Sequence, residues 1–362
     1  MTLHPTRSWS ILVTGSSGLI GSEAVEYFDG QGHRVIGVDN NMRREFFGPA
    51  GDTTWNLERL KAATSRFEHR DLDIRHREKM FELFKEHKFD AILHCAAQPS
   101  HDKAKEIPLV DFEVNALGTA NVLEAMRQFC PEAGLVFLST NKVYGDAPNE
   151  KPLNEFATRY DYADAADWEG ISEECRIDRT THSIFGASKV AGDILAQEYG
   201  RYFGLNVGVF RGGCLTGPNH SGVQLHGFLS YLVKTVMTGE TYTVFGYKGK
   251  QVRDNVHSFD VVRAAEQFFQ NPRPGEVYNI GGGRENSISI LEAIHRVQQI
   301  TGRTLDWKYL DEPRKGDHIC YISDLRKLRA HFPNWELTYD LNRILEEIVH
   351  VERNQVRIAQ GI

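Results

Sequence analysis

Residues 11–21 read Ile-Leu-Val-Thr-Gly-Ser-Ser-Gly-Leu-Ile-Gly. A short aliphatic run, of the kind that forms a buried parallel strand, meets glycines at G-x-x-G-x-x-G spacing. A helix-compatible run, Ser22 to Phe28, follows. Each glycine has a separate physical task. Gly15 permits the tight turn, Gly18 lets a pyrophosphate approach the backbone, and Gly21 lets the helix pack close to the strand. The helix start then offers N–H donors and the positive end of its dipole to phosphate oxygens. Ser17, Leu19 and Ile20 lie within this turn and are expected at the cofactor with the three glycines.

A glycine motif alone is a weak signal; a carboxylate at the end of the next strand strengthens it. The run Arg34-Val-Ile-Gly-Val38 ends at Asp39, eighteen residues beyond Gly21. There a carboxylate accepts from a ribose 2′-OH and disfavours a 2′-phosphate. NAD is therefore the expected cofactor, with Asn40 beside its ribose. Arg43 and Arg44 are read as covering an exposed loop.

The alternation of strand and helix continues. Expected strands lie at 67–70, 89–94, 135–139 and 206–210, with helices near 55–65, 76–87, 105–130 and 183–203. This pattern predicts an α/β, Rossmann-type, doubly wound parallel sheet, whose ligands bind beyond the carboxyl ends of the strands. Asp73 and Ile74 fall at such an end. Asp73 suits an adenine amino group, or a cap on the 76–87 helix. Ala96, Ala97 and Gln98 follow another strand, where small residues let a cofactor lie against the backbone. Asn115 falls in the 105–130 helix. The segment 40–54 is long for an α/β connection and is read as a functional loop. Residues 146–181 read as an insertion. The composition shifts after Pro218, so a Rossmann domain over 1–215 and about 252–282 is expected, with a smaller mixed lobe over about 216–251 and 283–350.

The 362 residues carry a net charge of −7, with no long basic run, which argues against nucleic acid or an anionic membrane as main partner. No apolar run is long enough for a transmembrane helix, and the first residues lack a signal-peptide core. Five scattered cysteines fit free thiols in a reducing cytoplasm. No histidine pair has metal-ligand spacing, and no metal is expected.

Three further pieces point to chemistry: Ser139-Thr-Asn-Lys-Val-Tyr-Gly145, Phe185-Gly-Ala-Ser-Lys189 and Arg253-Asp254. Together with the glycine turn, they resemble the extended short-chain dehydrogenase/reductases, and among these the NAD-dependent nucleotide-sugar epimerases, particularly those acting at C2. The resemblance spans roughly residues 10–345. It implies that Thr140 hydrogen-bonds a sugar hydroxyl and that Lys189 holds the nicotinamide ribose. It also implies a tyrosine four residues before the lysine as proton acceptor, and here that position is Phe185. A phenyl ring takes no proton, so the candidates left nearby are Lys142, Tyr144 and His182. Related dehydratases place an Asp-Glu pair after the Thr; here the pair is Asn141-Lys142, which disfavours elimination. On the substrate side the resemblance implies Arg253 and Arg314 for a diphosphate, with Cys214, Asn219 and Gln224 near the sugar or base. His220 and His226 fall in the same run. Relatives pair two long helices per subunit, so a homodimer through a four-helix bundle is implied, with the helices near 105–130 and 183–203. The expected activity is epimerisation of a nucleotide-diphosphate sugar at C2 by hydride removal and return, over tightly bound NAD; Phe185 leaves two alternatives, another NAD-dependent nucleotide-sugar oxidoreductase or dehydratase, or a catalytically silent protein that binds NAD and a nucleotide sugar.

Overall fold

In a computed structural model, residues 7–223, 227–313 and 316–360 are described. A seven-stranded parallel sheet forms the centre. Its strands are β1 (Ser10–Thr14), β2 (Arg34–Val38), β3 (Phe67–Arg70), β4 (Ala91–His94), β5 (Gly134–Thr140), β6 (Val207–Gly212) and β7 (Glu276–Ile280). Their spatial order is 3-2-1-4-5-6-7, with the order reversing between β1 and β4. A ligand crevice is expected at that reversal.

Alternation along β1 shows why the sheet is covered on both faces. Ile11 and Val13 point to a core with Ala24, Val25 and Phe28 of α1 (Leu19–Gly30) and with Val261, Val262 and Phe268. Leu12 points the other way, to Met80, Phe84, Leu123 and Met126. All three β1 residues are fully buried. Strands buried on both faces are near-continuously aliphatic, which is what the sequence shows.

A smaller lobe has its own core. The helices Phe228–Thr238, Ile290–Thr301 and Leu341–Gln360 contribute Leu232, Ile294 and Ile344, together with Val244 from the strand Tyr242–Phe245. Tyr242–Phe245 pairs in parallel with Trp307–Leu310. The strand Val252–His257 joins lobe to sheet domain. It pairs with Ser287–Ser289, Cys320–Tyr321 and Cys214–Thr216.

Two local expectations change. The segment 40–54 contains the helix Met42–Phe47 and a 3-10 turn, Gly48–Gly51, so it is not an open loop. The long helix near 105–130 is interrupted: Pro108–Phe112 passes through a π-helical turn, Glu113–Gly118, into α2 (Thr119–Phe129). Such turns widen the helix locally and re-aim its side chains. Here the re-aimed residue is Asn115. The helix α3 (Ile184–Arg201) starts where Ser183 caps it, its hydroxyl accepting from the Gly186 N–H at 3.0 Å. Four residues apart on α3, Phe185 and Lys189 share one face.

Candidate active site

A cleft of about 470 Å³ runs along the carboxyl ends of β1, β2, β4, β5 and β6. That volume suits a small-molecule or cofactor site. Gly15, Gly18, Leu19, Ile20, Gly21, Asp39, Asn40, Asp73, Ile74, Ala96 and Ala97 line one end. Thr140, Lys142, Phe185 and Lys189 line the middle, and Cys214, Asn219 and Arg253 lie towards the lobe. The structure thus gathers most of the expected residues into one continuous cavity. Ser17, Gln98 and Asn115 do not line it; they stand behind its wall. Gln224, His226 and Arg314 lie outside the described residues.

The glycine turn is built for an anion. Gly15 sits at φ +67°, and a Cβ there would lie 2.9 Å from the Ala96 nitrogen. A Cβ on Gly21 would lie 2.0 Å from the Gly15 oxygen, so only glycine lets α1 approach. Gly18 begins α1 with no side-chain cap, leaving first-turn N–H groups facing the cleft. These features fit a dinucleotide pyrophosphate. Asp39 accepts from the N–H groups of Ser17 at 2.9 Å and Asn41 at 2.8 Å, and burial raises its pKa. Ser17 therefore works through its backbone, holding the carboxylate in place.

Asp73 does not cap a helix. The next helix, Arg77–Glu86, is entered at His76 without a side-chain cap. Asp73 instead binds Arg75 at 2.7 Å and accepts from the Asn40 amide at 3.0 Å. Although burial opposes it, Arg75 keeps the Asp73 carboxyl below its usual range. Arg44 pairs with Asp52 at the rim, 3.3 Å away. Arg43 departs from the expectation of an exposed loop. The helix Met42–Phe47 turns it into the cleft, where it donates to the Ser221 carbonyl at 2.6 Å and stacks on Phe47.

Behind the wall runs a buried hydrogen-bond chain. The Thr119 hydroxyl donates to the Asn115 carbonyl at 2.8 Å, so its oxygen accepts from His94 Nε2–H at 3.0 Å. His94 Nδ1 must then accept, at 2.7 Å, from the hydroxyl of Thr14, the last residue of β1. That hydroxyl accepts from the Ala96 N–H at 3.1 Å. The chain requires a neutral imidazole, and burial lowers the His94 pKa to about 3. The Asn115 amide continues it, donating to Ser188 on α3 at 3.1 Å. Gln98 is fully buried; its amide donates to Asp111 at 2.6 Å and its N–H to Asn115. Gln98 and Asn115, expected at the cofactor, thus stand behind the cleft wall and brace it.

Lys189 donates to the Leu138 carbonyl at 2.7 Å, and its ammonium sits 4.5 Å from the Phe137 ring centre. Burial lowers its pKa to about 8, with Asp193 and Asp111 opposing. A folded-state pKa below the unfolded value means that the unfolded chain holds more protons between about pH 8 and 10.5. This group's contribution to stability therefore rises with pH across that window. If its charge holds ribose hydroxyls, NAD affinity should fall above pH 8, by up to about tenfold per unit. Calorimetric titration of NAD into cofactor-free protein checks this. A profile that is the same in Lys189→Met would remove Lys189 from the cofactor site.

Of the three candidates for a replacement base, the structure leaves one in the cleft. The Tyr144 hydroxyl is fully buried, donating to Asn279 at 2.7 Å beside Arg211, and burial drives its pKa up. His182 bonds the Val143 carbonyl at 2.7 Å and holds the 141–144 turn from behind. Lys142 lines the cleft, donating to the Gly316 carbonyl at 3.1 Å and lying 3.5 Å from Asp317. Burial lowers its pKa while Asp317 opposes. Asp317 also pairs with Arg253. Although burial works against it, Arg253 and Lys142 hold this carboxyl well below its usual range. Burial raises the Cys214 thiol to about 11, so it stays neutral. Thr140 accepts from the Lys142 N–H at 3.2 Å and keeps its hydroxyl at the cleft.

Among the cleft residues that sequence reasoning missed are Asp317 and His101. Asp317 carried no motif of its own. His101 follows β4 and packs against the Phe185 ring, with centroids 4.9 Å apart and planes tilted by 53°. Among the described residues no group of three or more His, Cys, Asp or Glu side chains is placed to hold a metal. None of their helices is long and apolar enough to cross a membrane.

The cleft joins a glycine turn at one end to Thr140 and Lys189 in its middle, and residues 11–281 match the NAD dependent epimerase/dehydratase family. The chain belongs to that family. It is similar to the CDP-paratose 2-epimerase of Salmonella typhi, 31% identical over 88% of this chain and 92% of that protein. The UDP-glucuronate 4-epimerase of Thermodesulfobacterium geofontis is 27% identical over 97% of this chain and 98% of its own length. Among solved structures, the UDP-glucose 4-epimerase of Thermotoga maritima with UDP-glucose superposes with a TM-score of 0.77. It is 26% identical and covers 96% of this chain and 99% of its own.

Proposed function

We propose that the protein is an NAD-dependent epimerase of a nucleotide-diphosphate hexose, acting at C2. The observation that carries this reading is the single cavity from the glycine turn and Asp39, past Thr140 and Lys189, to Arg253. Bound NAD supplies a hydride acceptor that returns the hydride within the same cycle. Gly15, Gly18 and Gly21 cradle its pyrophosphate, and Asp39 accepts from its ribose. Lys189 holds the nicotinamide ribose and Thr140 hydrogen-bonds the reacting hydroxyl. Arg253 takes a diphosphate oxygen, its planar fork suiting that geometry. Position C2 rests on the Salmonella relative, and the nucleotide is left to experiment. Dehydration is disfavoured because the turn after Thr140 presents Asn141 and Lys142 to the cleft and no carboxylate pair.

The test is incubation with CDP-, UDP-, ADP- and GDP-hexoses in D2O, followed by NMR of the sugar. Inversion at C2 with retention of the carbon-bound hydrogen is the expected result. No turnover of any of these sugars, and no change at any sugar carbon, would sink the reading. A catalytically silent binding protein would then remain, and Phe185 is the residue that favours it.

Dimerisation belongs to the same proposal. The segment 108–118 exposes Leu109, Phe112 and Leu117, and the region of α3 exposes Ile194, Tyr202 and Phe203. Exposed apolar side chains of this size on the two helices support that reading. Light scattering should give a dimer mass, reduced to the monomer by Leu109→Asp with Ile194→Asp. A monomer at micromolar concentration in the unaltered protein would refute it.

A further inference from the structure

We propose that His101 is the proton acceptor and donor for the sugar hydroxyl, in place of the phenol that residue 185 lacks. The proposal rests on the epimerase reading above. Its basis is placement. The His101 ring lies against the very ring whose para position would otherwise carry the hydroxyl. Both rings line the cleft beside Thr140 and Lys189. His101 opens the short helix His101–Ala104, held from below by Ser100, whose hydroxyl accepts from the Lys103 N–H at 3.2 Å. Ser100 is itself fixed by the Gln98 amide, which both donates to its carbonyl and accepts from its N–H. The imidazole therefore stands on a rigid base, as a positioned proton-transfer group requires.

Other groups of the cleft serve less well. Phe185 has no proton chemistry. Lys142 already donates to the Gly316 carbonyl and faces Asp317, so it enters the cleft as a hydrogen-bond donor. Lys189 donates to the Leu138 carbonyl. Among the described residues, the charged groups sharing the cleft with His101 are Asp39, Arg43, Asp73, Lys142, Lys189, Arg253 and Asp317, and its neighbour Asp102 lies 3.9 Å from Lys105.

In the oxidation step the hydroxyl O–H bond breaks and its proton passes to a ring nitrogen of His101. NAD, held by Gly15, Gly18, Gly21 and Lys189, would take up the C–H electron pair as hydride while the C–O bond becomes a carbonyl, and would supply it again to the opposite face. His101, then an imidazolium, would give its proton back to the carbonyl oxygen. Atoms and charge balance over the cycle with no added oxidant.

The experiment uses the NAD-loaded protein. His101→Asn is expected to lower kcat by about 10²- to 10⁴-fold, with KM changed by less than about threefold and NAD content unchanged. The acidic limb of the pH–rate profile should disappear with it. Exogenous imidazole should restore part of the rate in His101→Gly, which a merely structural role would not allow. Full activity in His101→Asn, or loss of the acidic limb in Lys142→Met alone, would overturn the proposal. A second readout is independent of turnover. In a crystal of the NAD-loaded protein soaked with a nucleotide-hexose, a ring nitrogen of His101 should lie within about 3 Å of a sugar hydroxyl. A ring whose nitrogens both face away from the sugar overturns the assignment whether or not a sugar is turned over. Failure of the unaltered protein on every nucleotide-hexose would count against the epimerase reading instead.

Discussion

Gly21→Ala is expected to lose at least about nine-tenths of its bound NAD, a change of about 1.4 kcal/mol in affinity. The added methyl would lie 2.0 Å from the Gly15 oxygen, 2.7 Å from the Gly15 carbonyl carbon and 2.8 Å from the Ser16 Cα. These are backbone atoms of the phosphate turn, so neither partner relaxes by turning a side chain. The helix α1 has to back away, and overpacking of this kind costs about 1–3 kcal/mol in stability as well. Gly18→Ala separates the two effects. Gly18 sits at φ −79°, and its Cβ would meet only the Gly15 oxygen, at 3.3 Å. Thermal stability should stay near that of the unaltered protein while NAD affinity falls, because the methyl points into the cleft. Absorbance of released cofactor and thermal melts of both variants decide the matter. Equal NAD content in all three proteins would refute the assignment of this turn to the pyrophosphate.

The second large effect is in stability. Arg211 on β6 and Asp193 on α3 form a buried ion pair, with contacts of 2.8 and 3.0 Å and side chains only 5% and 1% exposed. Ser139 donates to the same carboxylate at 2.6 Å, and Gln197 donates at 2.7 Å. Arg211→Met leaves that carboxylate buried without its cation, at a cost of about 3–5 kcal/mol. For a protein of this size the melting temperature should fall by about 4–7 °C. Arg211→Met combined with Asp193→Leu should recover most of the loss, since replacing both charges removes the desolvation penalty. A double variant as unstable as the single one would show that the pair does more than satisfy itself.

How much of this was legible in the residues depends on range. The glycines, Asp39 and the β1–α1 unit follow from spacing within a few dozen residues, and the parallel sheet follows from alternation. Lys189 and Thr140 were found through their local motifs, and both line the cleft. Gln98 and Asn115 stood in the right segments but face inward, because a π-helical turn redirects Asn115 towards α3. Periodicity assumes a regular helix and cannot anticipate that redirection. Arg43 reaches the cleft because residues 42–47 coil into a helix that a Gly- and Pro-containing segment did not suggest. The contacts between His101 and Phe185, and between Asp193 and Arg211, join distant segments. No local pattern marks such pairs; only the packed fold brings them together.

The chain from Thr14 through His94, Thr119 and Asn115 to Ser188 has one further consequence. Its interior link is a single imidazole whose two nitrogens must play opposite roles. Because Thr119 gives its proton to a backbone carbonyl, only one placement of the ring proton keeps every link made. The end of β1 at the glycine turn and the start of α3 at Phe185 and Lys189 are therefore keyed to one another through one buried ring. Damage at His94, which stands behind the cleft wall, would be felt as misalignment of two surfaces that are each intact.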